Sequence, residues 1–236
     1  MSIQDDVVNF IRDNRVSTTE VADALGKQGV LPDVLPVNHG KFAVGSIRPV
    51  FAAFESNYSV HEQVRETQRA EIPVVFTHEI AGRAVLGELV SKFILLYRAS
   101  PGLVVDGPIR DVAAIRRHQF AVWSAGHSPI GCFNRPAAAF PSEFESSIRD
   151  KYQGGIAVCD DGGVVLIEQR LVNEELLHKL QRIEMQEDIW FFCLDTLKWD
   201  TKKIVCDKAY LTETDLLASA HLKQLGELSK PLDQEK

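Results

Sequence analysis

Short apolar runs alternate with helix-periodic stretches through the middle of this 236-residue chain, and that alternation restricts the fold more than any other feature. The run IPVVFTH gives way to the helical pattern RAVLGELVSKFILLYRAS, then to GLVVDG, to the helical RDVAAIRRH and to FAVWSAG. Apolar runs this short, bounded by Gly, Pro and charged residues, are buried strands rather than helices. Strand and helix exchanging at such intervals predict an α/β core with some parallel pairing.

Outside this core the sequence supplies its own punctuation. Val7, Val8, Phe10 and Ile11 recur at helical spacing. Ser17 and Glu20 form a capping-box pattern, so a helix through Val21, Ala24 and Leu25 is expected, stopping near Gly29. Pro49 interrupts KFAVGSIRPVFAAF, which predicts two strand pieces or an edge strand. SVHEQVRETQRA is read as helical. PIGCFNRPAAAFPSEFESSIRDKY carries three prolines and is expected to cross the surface as an irregular connection. Asp160, Asp161, Gly162 and Gly163 join two strands as a hairpin, because Asp and Gly accept positive φ; the two acids are assigned to that turn rather than to a metal. Helical segments follow, with an aromatic group (Trp190, Phe191, Phe192, Trp199) expected to form a subunit contact or a lid. The polar ending SKPLDQEK is expected to fray. The expected division is an N-terminal helix over 1–16, an α/β domain over 17–187 and a helical extension over 188–236.

Charge and composition exclude several classes. A net charge of −7 repels phosphate backbones, so no nucleic-acid partner is expected. The longest apolar stretch, FILLY, is too short to span a bilayer. The acidic start lacks the basic-then-apolar order of a signal peptide, so a soluble, cytoplasmic protein without a membrane partner is expected. Cys132, Cys159, Cys193 and Cys206 lie among apolar or aromatic neighbours without metal-site spacing and are read as buried, reduced thiols.

The chemistry concentrates between Gly87 and Asp111, in GELVSKFILLYRASPGLVVDGPIRD. A buried strand there ends in a turn at Pro108 and a new helix at Arg110 and Asp111. The exit of a buried strand is where open α/β sheets place their sites. Arg110 offers a planar fork of donors for a carboxylate, and Asp111 an oxygen ligand for Mg²⁺ or Mn²⁺. The pair alone is equally what a helix N-cap and its solvated neighbour look like. HEQVR, at His61, is not the HExxH of a zinc protease.

The wider pattern resembles the RraA-like family, which includes 4-hydroxy-4-methyl-2-oxoglutarate/4-carboxy-4-hydroxy-2-oxoadipate (HMG/CHA) aldolases. Its GxVxDGxxRD block is matched by Gly102, Val104, Asp106, Gly107, Arg110 and Asp111, and its preceding Gly and acid by Gly87 and Glu88. STTEVADALGKQG, SNYSVHEQV and GGIAVCDDGGVVLIE resemble further family segments in the right order, so the likeness runs from Ser17 to the helix after Glu168.

That resemblance implies a swivelling β/β/α fold, assembled as a homotrimer or homohexamer with the active cleft at a subunit boundary. It implies a Mg²⁺- or Mn²⁺-dependent lyase with an α-keto-acid substrate, and oxaloacetate decarboxylation as a side activity. Asp111 would hold the metal and Arg110 the keto acid. The loop of Val85, Leu86, Gly87, Glu88 and Leu89 would present N–H groups to the pyruvate carboxylate, and Glu88 would organise metal-bound water. Arg110, Asp111 and Glu88 are thus the expected catalytic residues. The chain departs from the pattern in having Glu at position 88, one residue more than the family spacing between this acid and Arg110, and no Lys in GHSPIGCFNRP, where Arg135 is the candidate replacement. The extra residue is expected within YRASPG. His61 and Asn57 are secondary candidates near the cleft. The same family implies two competing functions: a non-catalytic regulator that binds an RNA-degrading endonuclease, and a scaffold recruited to a different enolate or sugar-acid reaction.

Overall fold

The computed structural model describes Ser2–Leu228 and divides into two compact units, one through Asn173 and one from Glu174 onward. The first unit opens with α1 (Ile3–Asn14) and α2 (Thr18–Ala24), each started by a capping box, Ser2 with Asp5 and Ser17 with Glu20. In each box the hydroxyl and the acid satisfy amides that a helix start leaves without partners. α1 buries Val7 and Ile11.

A seven-stranded sheet forms the body of this unit: β1 (Leu35–Pro36), β2 (Ala43–Ala53), β3 (Glu71–His78), β4 (Leu103–Ile109), β5 (Val122–His127), β6 (Ile156–Asp160) and β7 (Gly163–Ile167), in the order β1-β5-β4-β3-β2-β6-β7. β2, β3, β4 and β5 pair parallel, and β1, β6 and β7 join antiparallel. The connections carry α3 (Tyr58–Gln63), α4 (Glu88–Lys92), α5 (Val112–Arg117) and α6 (Ser142–Tyr152). A strap ties the two edges. Leu31 N–H donates to the Val164 carbonyl of β7 at 2.9 Å, and Leu166 N–H to the Gly29 carbonyl at 2.8 Å. The same segment runs on into β1, beyond which Val37 N–H donates to the Val122 carbonyl of β5 at 2.9 Å. The sheet is thereby nearly closed. This is the mixed α/β architecture, with helices before and after it, that the sequence predicts.

Strand residues alternate between two cores. Val50, Val75, Leu103, Val105 and Ile109 face one, while Ile47, Phe51, Val74, Phe76, Val104 and Trp123 face the other. Burial on both faces explains why these runs are continuously apolar. Each fully buried Val, Ile or Leu contributes roughly 1.5–3 kcal/mol.

Four local expectations are corrected. β2 is one continuous interior strand, not two pieces or an edge. Pro49 is accommodated because alternate amides point the same way. Ile47 N–H donates to the Gly155 carbonyl and Phe51 N–H to the Gln63 side chain, on the side away from β3. β6 pairs with β2 only up to Ser46, so the N–H that Pro49 lacks lies beyond the end of that ladder. The helix expected from Arg83 begins only at Glu88, because residues before it bridge in extended form, Ala84 against Gly131. The second half of the proline-rich connection is α6, with Pro141 at its N-cap and an Arg149–Glu145 pair along it. Three cysteines are buried as expected, but Cys206 is exposed.

The second unit holds α7 (Glu174–Asp195) and α8 (Ser219–Leu228), with wide and tight helical turns between them. Its core gathers Ile189, Cys193, Trp199, Ile204, Tyr210 and Leu217. Trp190 and Phe192 pack against that core, whereas Phe191 is exposed. Among the described residues no helix is long and apolar enough to cross a membrane. The ending SKPLDQEK lies outside the described residues.

Candidate active site

β4 and β5 shift register between Val105 and Pro108, and β4 then delivers Arg110 and Asp111 to the start of α5. Asp111 occupies the N-cap position of α5 but makes no capping bond. Its backbone is left-handed, with φ 58° and ψ 31°, a conformation that costs a non-glycine residue on the order of 1 kcal/mol. The carboxylate is turned away from its own helix. Its Oδ2 accepts from Glu88 N–H at 3.2 Å and lies 3.7 Å from Arg110 Nε. The simple N-cap role that the sequence left open is therefore not what this residue does.

Two glycines make the space. A Cβ at Gly87 would lie 2.2 Å from Asp111 Oδ2 and 2.9 Å from Arg110 Cγ, and one at Gly131 would lie 2.6 Å from Arg110 Nη1. Arg83 braces the Gly131 segment: Nη1 donates to the Gly131 carbonyl at 3.2 Å while Nε pairs with Glu55 at 2.6 Å.

The loop ahead of α4 is fixed on three sides. Val85 N–H donates to the Pro108 carbonyl at 2.9 Å, Arg110 N–H to the Leu86 carbonyl at 3.0 Å, and Ala84 N–H to the Ile130 carbonyl at 2.7 Å. Asn57 Nδ2 donates to the Val85 carbonyl at 2.8 Å; Asn57 is buried, and its Oδ1 has no partner. The Val85 amide, expected to face a substrate, is thus committed within the protein. Among the described residues the N–H groups of Leu86, Gly87 and Leu89 have no protein acceptor. Leu86 and Gly87 are buried, and buried amides without acceptors are rare unless something else supplies one.

Glu88 takes part through its backbone, and its carboxylate pairs with a histidine. Oε1 lies 2.9 Å from Nε2 of His118, at the end of α5, whose ring stacks on Phe120 at 5.0 Å. His118 is missed by sequence reasoning, as is Gly131. Between Glu88 and Arg110 the chain makes a π turn at Phe93–Tyr97, which holds one more residue than an α turn.

The remaining candidates lie elsewhere or play other parts. Asp106 sits on β4, with its backbone carbonyl bonded by Thr77 Oγ1. Burial, with the charge of Asp33 adding to it, raises its carboxyl above the usual range. Arg135 stacks on the Phe133 ring at 4.7 Å. His61 lines an apolar groove of about 540 Å³. Asp160 binds Thr18 through both oxygens and caps Gly162 N–H, so it serves the hairpin and α2.

Among the described residues no three His, Cys, Asp or Glu side chains converge into a preformed metal cage. Mg²⁺ does not require one, since one or two carboxylates with substrate oxygens and water complete its shell. Asp111 meets that demand. Its side chain is 47% exposed, and one oxygen is steadied by Glu88 N–H.

Residues 18–166 match the family model described as RraA-like, Aldolase/RraA. A Halalkalibacterium halodurans protein, whose name provisionally gives it as a 4-hydroxy-4-methyl-2-oxoglutarate aldolase, is 29% identical over 121 residues, which is 50% of this chain and 57% of that protein. The chain thus spans little more than half of that relative's length. Among solved structures, an uncharacterized protein from Pseudomonas syringae pv. tomato superposes with a TM-score of 0.63 at 20% identity, covering 81% of this chain and 93% of that one. Streptomyces coelicolor RraAS2, named as an unusual member of the RNase ES inhibitor RraA protein family, gives 0.60 at 20% identity, covering 78% and 94%. Likenesses at that identity speak for the fold; the family match spans most of the sheet and every residue of the site. The chain belongs to the RraA-like family.

Proposed function

We propose that this chain is a divalent-metal-dependent carbon–carbon lyase of the class II pyruvate-aldolase type, cleaving a 4-hydroxy-2-oxo acid to pyruvate and a second carbonyl compound. One observation carries this: the Asp111 carboxylate is withheld from its own helix and set between the Arg110 guanidinium and the loop that holds the unpaired amides of Leu86, Gly87 and Leu89.

The free N–H groups of Leu86, Gly87 and Leu89 receive the substrate carboxylate, and Arg110 adds a charged, planar donor that fixes its orientation. Asp111 would hold Mg²⁺ or Mn²⁺, which when bound supplies Lewis-acid stabilisation of the charge growing on the keto oxygen. The C4 hydroxyl proton leaves, the C3–C4 bond breaks, and its electron pair passes into the enolate of pyruvate, which is reprotonated at C3. Glu88, held by His118, is assigned to move that hydroxyl proton. Arg110 stabilises the enolate by charge. Oxaloacetate decarboxylation reaches the same enolate and is the expected side reaction. Assembly as a trimer or hexamer with clefts at subunit boundaries, and a place in the cytoplasm, belong to the same proposal.

The test couples released pyruvate to a reporter, with Mg²⁺ or Mn²⁺ present and 4-hydroxy-2-oxo acids supplied. Wild-type activity that Asp111→Ala abolishes is the expected result. Absence of pyruvate from every substrate, together with capture and inhibition of an RNA-degrading endonuclease, would transfer the chain to the regulatory branch of the family.

A further inference from the structure

Asn and Asp are the side chains best suited to cap the free amides at a helix start. Two helices around the site begin on such a residue and go uncapped: Asn57 opens α3, Asp111 opens α5, and neither side chain makes a capping bond. Both reach the loop ahead of α4 instead. Asp111 accepts from Glu88 N–H, and Asn57 Nδ2 donates to the Val85 carbonyl at 2.8 Å. Asn57 is only 8% exposed, and its Oδ1 has no partner. An uncapped helix start and an unpaired buried oxygen both cost stability, so the grip on Val85 is held for something other than stability. The backbone of Asn57 is fixed in turn: its N–H donates to the Phe133 carbonyl at 3.2 Å, and its carbonyl accepts from Val60 N–H at 3.1 Å.

A trans peptide is planar, so holding its carbonyl aims its N–H the opposite way. Three successive trans peptides of the loop are held in this manner. The Gly87 carbonyl accepts from Ser91 N–H at 3.1 Å and from Ser91 Oγ at 2.9 Å, and the N–H of the same peptide, on Glu88, meets the Asp111 carboxylate. The Leu86 carbonyl accepts from Arg110 N–H at 3.0 Å, which turns the free Gly87 N–H away from that backbone. The third peptide joins Val85 to Leu86, and its N–H is the free amide of Leu86. Among the described residues no group but Asn57 bonds the Val85 carbonyl, so the aim of this amide depends on one side chain. We propose that Asn57 is a positioning residue: by gripping the Val85 carbonyl it aims Leu86 N–H at the substrate carboxylate. The inference rests on the aldolase reading and adds to it a residue that acts through the loop.

The experiment compares wild type with Asn57→Leu, which keeps the size of the side chain while removing both the donor and the orphan oxygen, and with Asn57→Ala as a second variant. Calorimetry measures binding of Mn²⁺ alone and of pyruvate in saturating Mn²⁺, and pyruvate release from 4-hydroxy-2-oxo acids gives kcat and KM. Pyruvate should bind Asn57→Leu about tenfold more weakly, the scale of one hydrogen bond to a charged group. KM should rise by a similar factor and kcat change less than threefold, because the carboxylate is gripped in substrate and transition state alike. Mn²⁺ affinity should stay within twofold, since Asp111 is untouched, and the melting temperature should hardly move, since the orphan oxygen leaves with the donor. Pyruvate binding within twofold of wild type in both variants overturns the role of Asn57 and leaves the aldolase reading standing. Loss of the fold in both variants, or an equal loss of Mn²⁺ and pyruvate binding with a lowered melting temperature, makes Asn57 merely structural and also overturns it. A wild-type protein that neither binds pyruvate with Mn²⁺ nor releases it from any substrate removes the aldolase reading, and the positioning role with it.

Discussion

At the scale of single residues, the site depends on the absence of a methyl group at position 87. An Ala there would place Cβ within 2.2 Å of Asp111 Oδ2, so the carboxylate must swing away. Gly87 has an extended backbone that any residue adopts, so the fold loses little. Gly87→Ala is therefore expected to lower pyruvate release on the order of 100-fold, as displacements of about 1 Å do, with circular dichroism and melting temperature nearly unchanged. Asp106 makes a different prediction. Burial raises its carboxyl in the folded state, so the charged form is penalised. A raised folded value means the native state holds its proton longer, and stability falls as pH rises through that value. Asp106→Asn should match wild type near pH ~4 and become the more stable protein, by urea midpoint, as pH approaches ~7. The sequence made Arg110 and Asp111 legible because they are adjacent. The Glu88–His118 pair was hidden, since 30 positions separate its members and no periodicity links them. Gly131 was hidden because its role is to vacate space for a side chain that sequence cannot place.

Among the elements, legibility followed local chemistry. The Ser17–Glu20 box and the Asp160–Gly163 turn are encoded by neighbouring residues and formed where expected. Pro49 misled because its tolerance is set by where β6 stops, a fact of tertiary pairing. The late start of α4 was equally invisible, since the Ala84–Gly131 bridge that holds the preceding residues extended comes from far along the chain. Asp160 shows how one turn residue also organises its surroundings: its carboxylate binds Thr18 N–H at 2.8 Å, Thr18 Oγ1 at 2.6 Å and Gly162 N–H at 2.7 Å. Asp160→Ala strands these donors and is expected to cost about 1–3 kcal/mol in urea unfolding. The loss should fall on the packing of α2 against the hairpin, read as faster amide exchange in α2.

For the whole molecule, the family match ends within the first compact unit, so the sheet and its site form one body and α7 begins the other. The alternation of apolar runs foretold the parallel centre of that sheet but not its closure, because the strap around Gly29–Pro36 looks in sequence like an ordinary proline-containing loop. Its hydrogen bonds occupy backbone groups that terminal strands otherwise leave open to any passing chain. The strap therefore guards against self-templated aggregation. Leu31→Pro, which deletes the N–H given to Val164, should bare the outward carbonyl of Val164 on β7. Turbidity should then develop during mild heating, at temperatures where the wild-type protein stays clear.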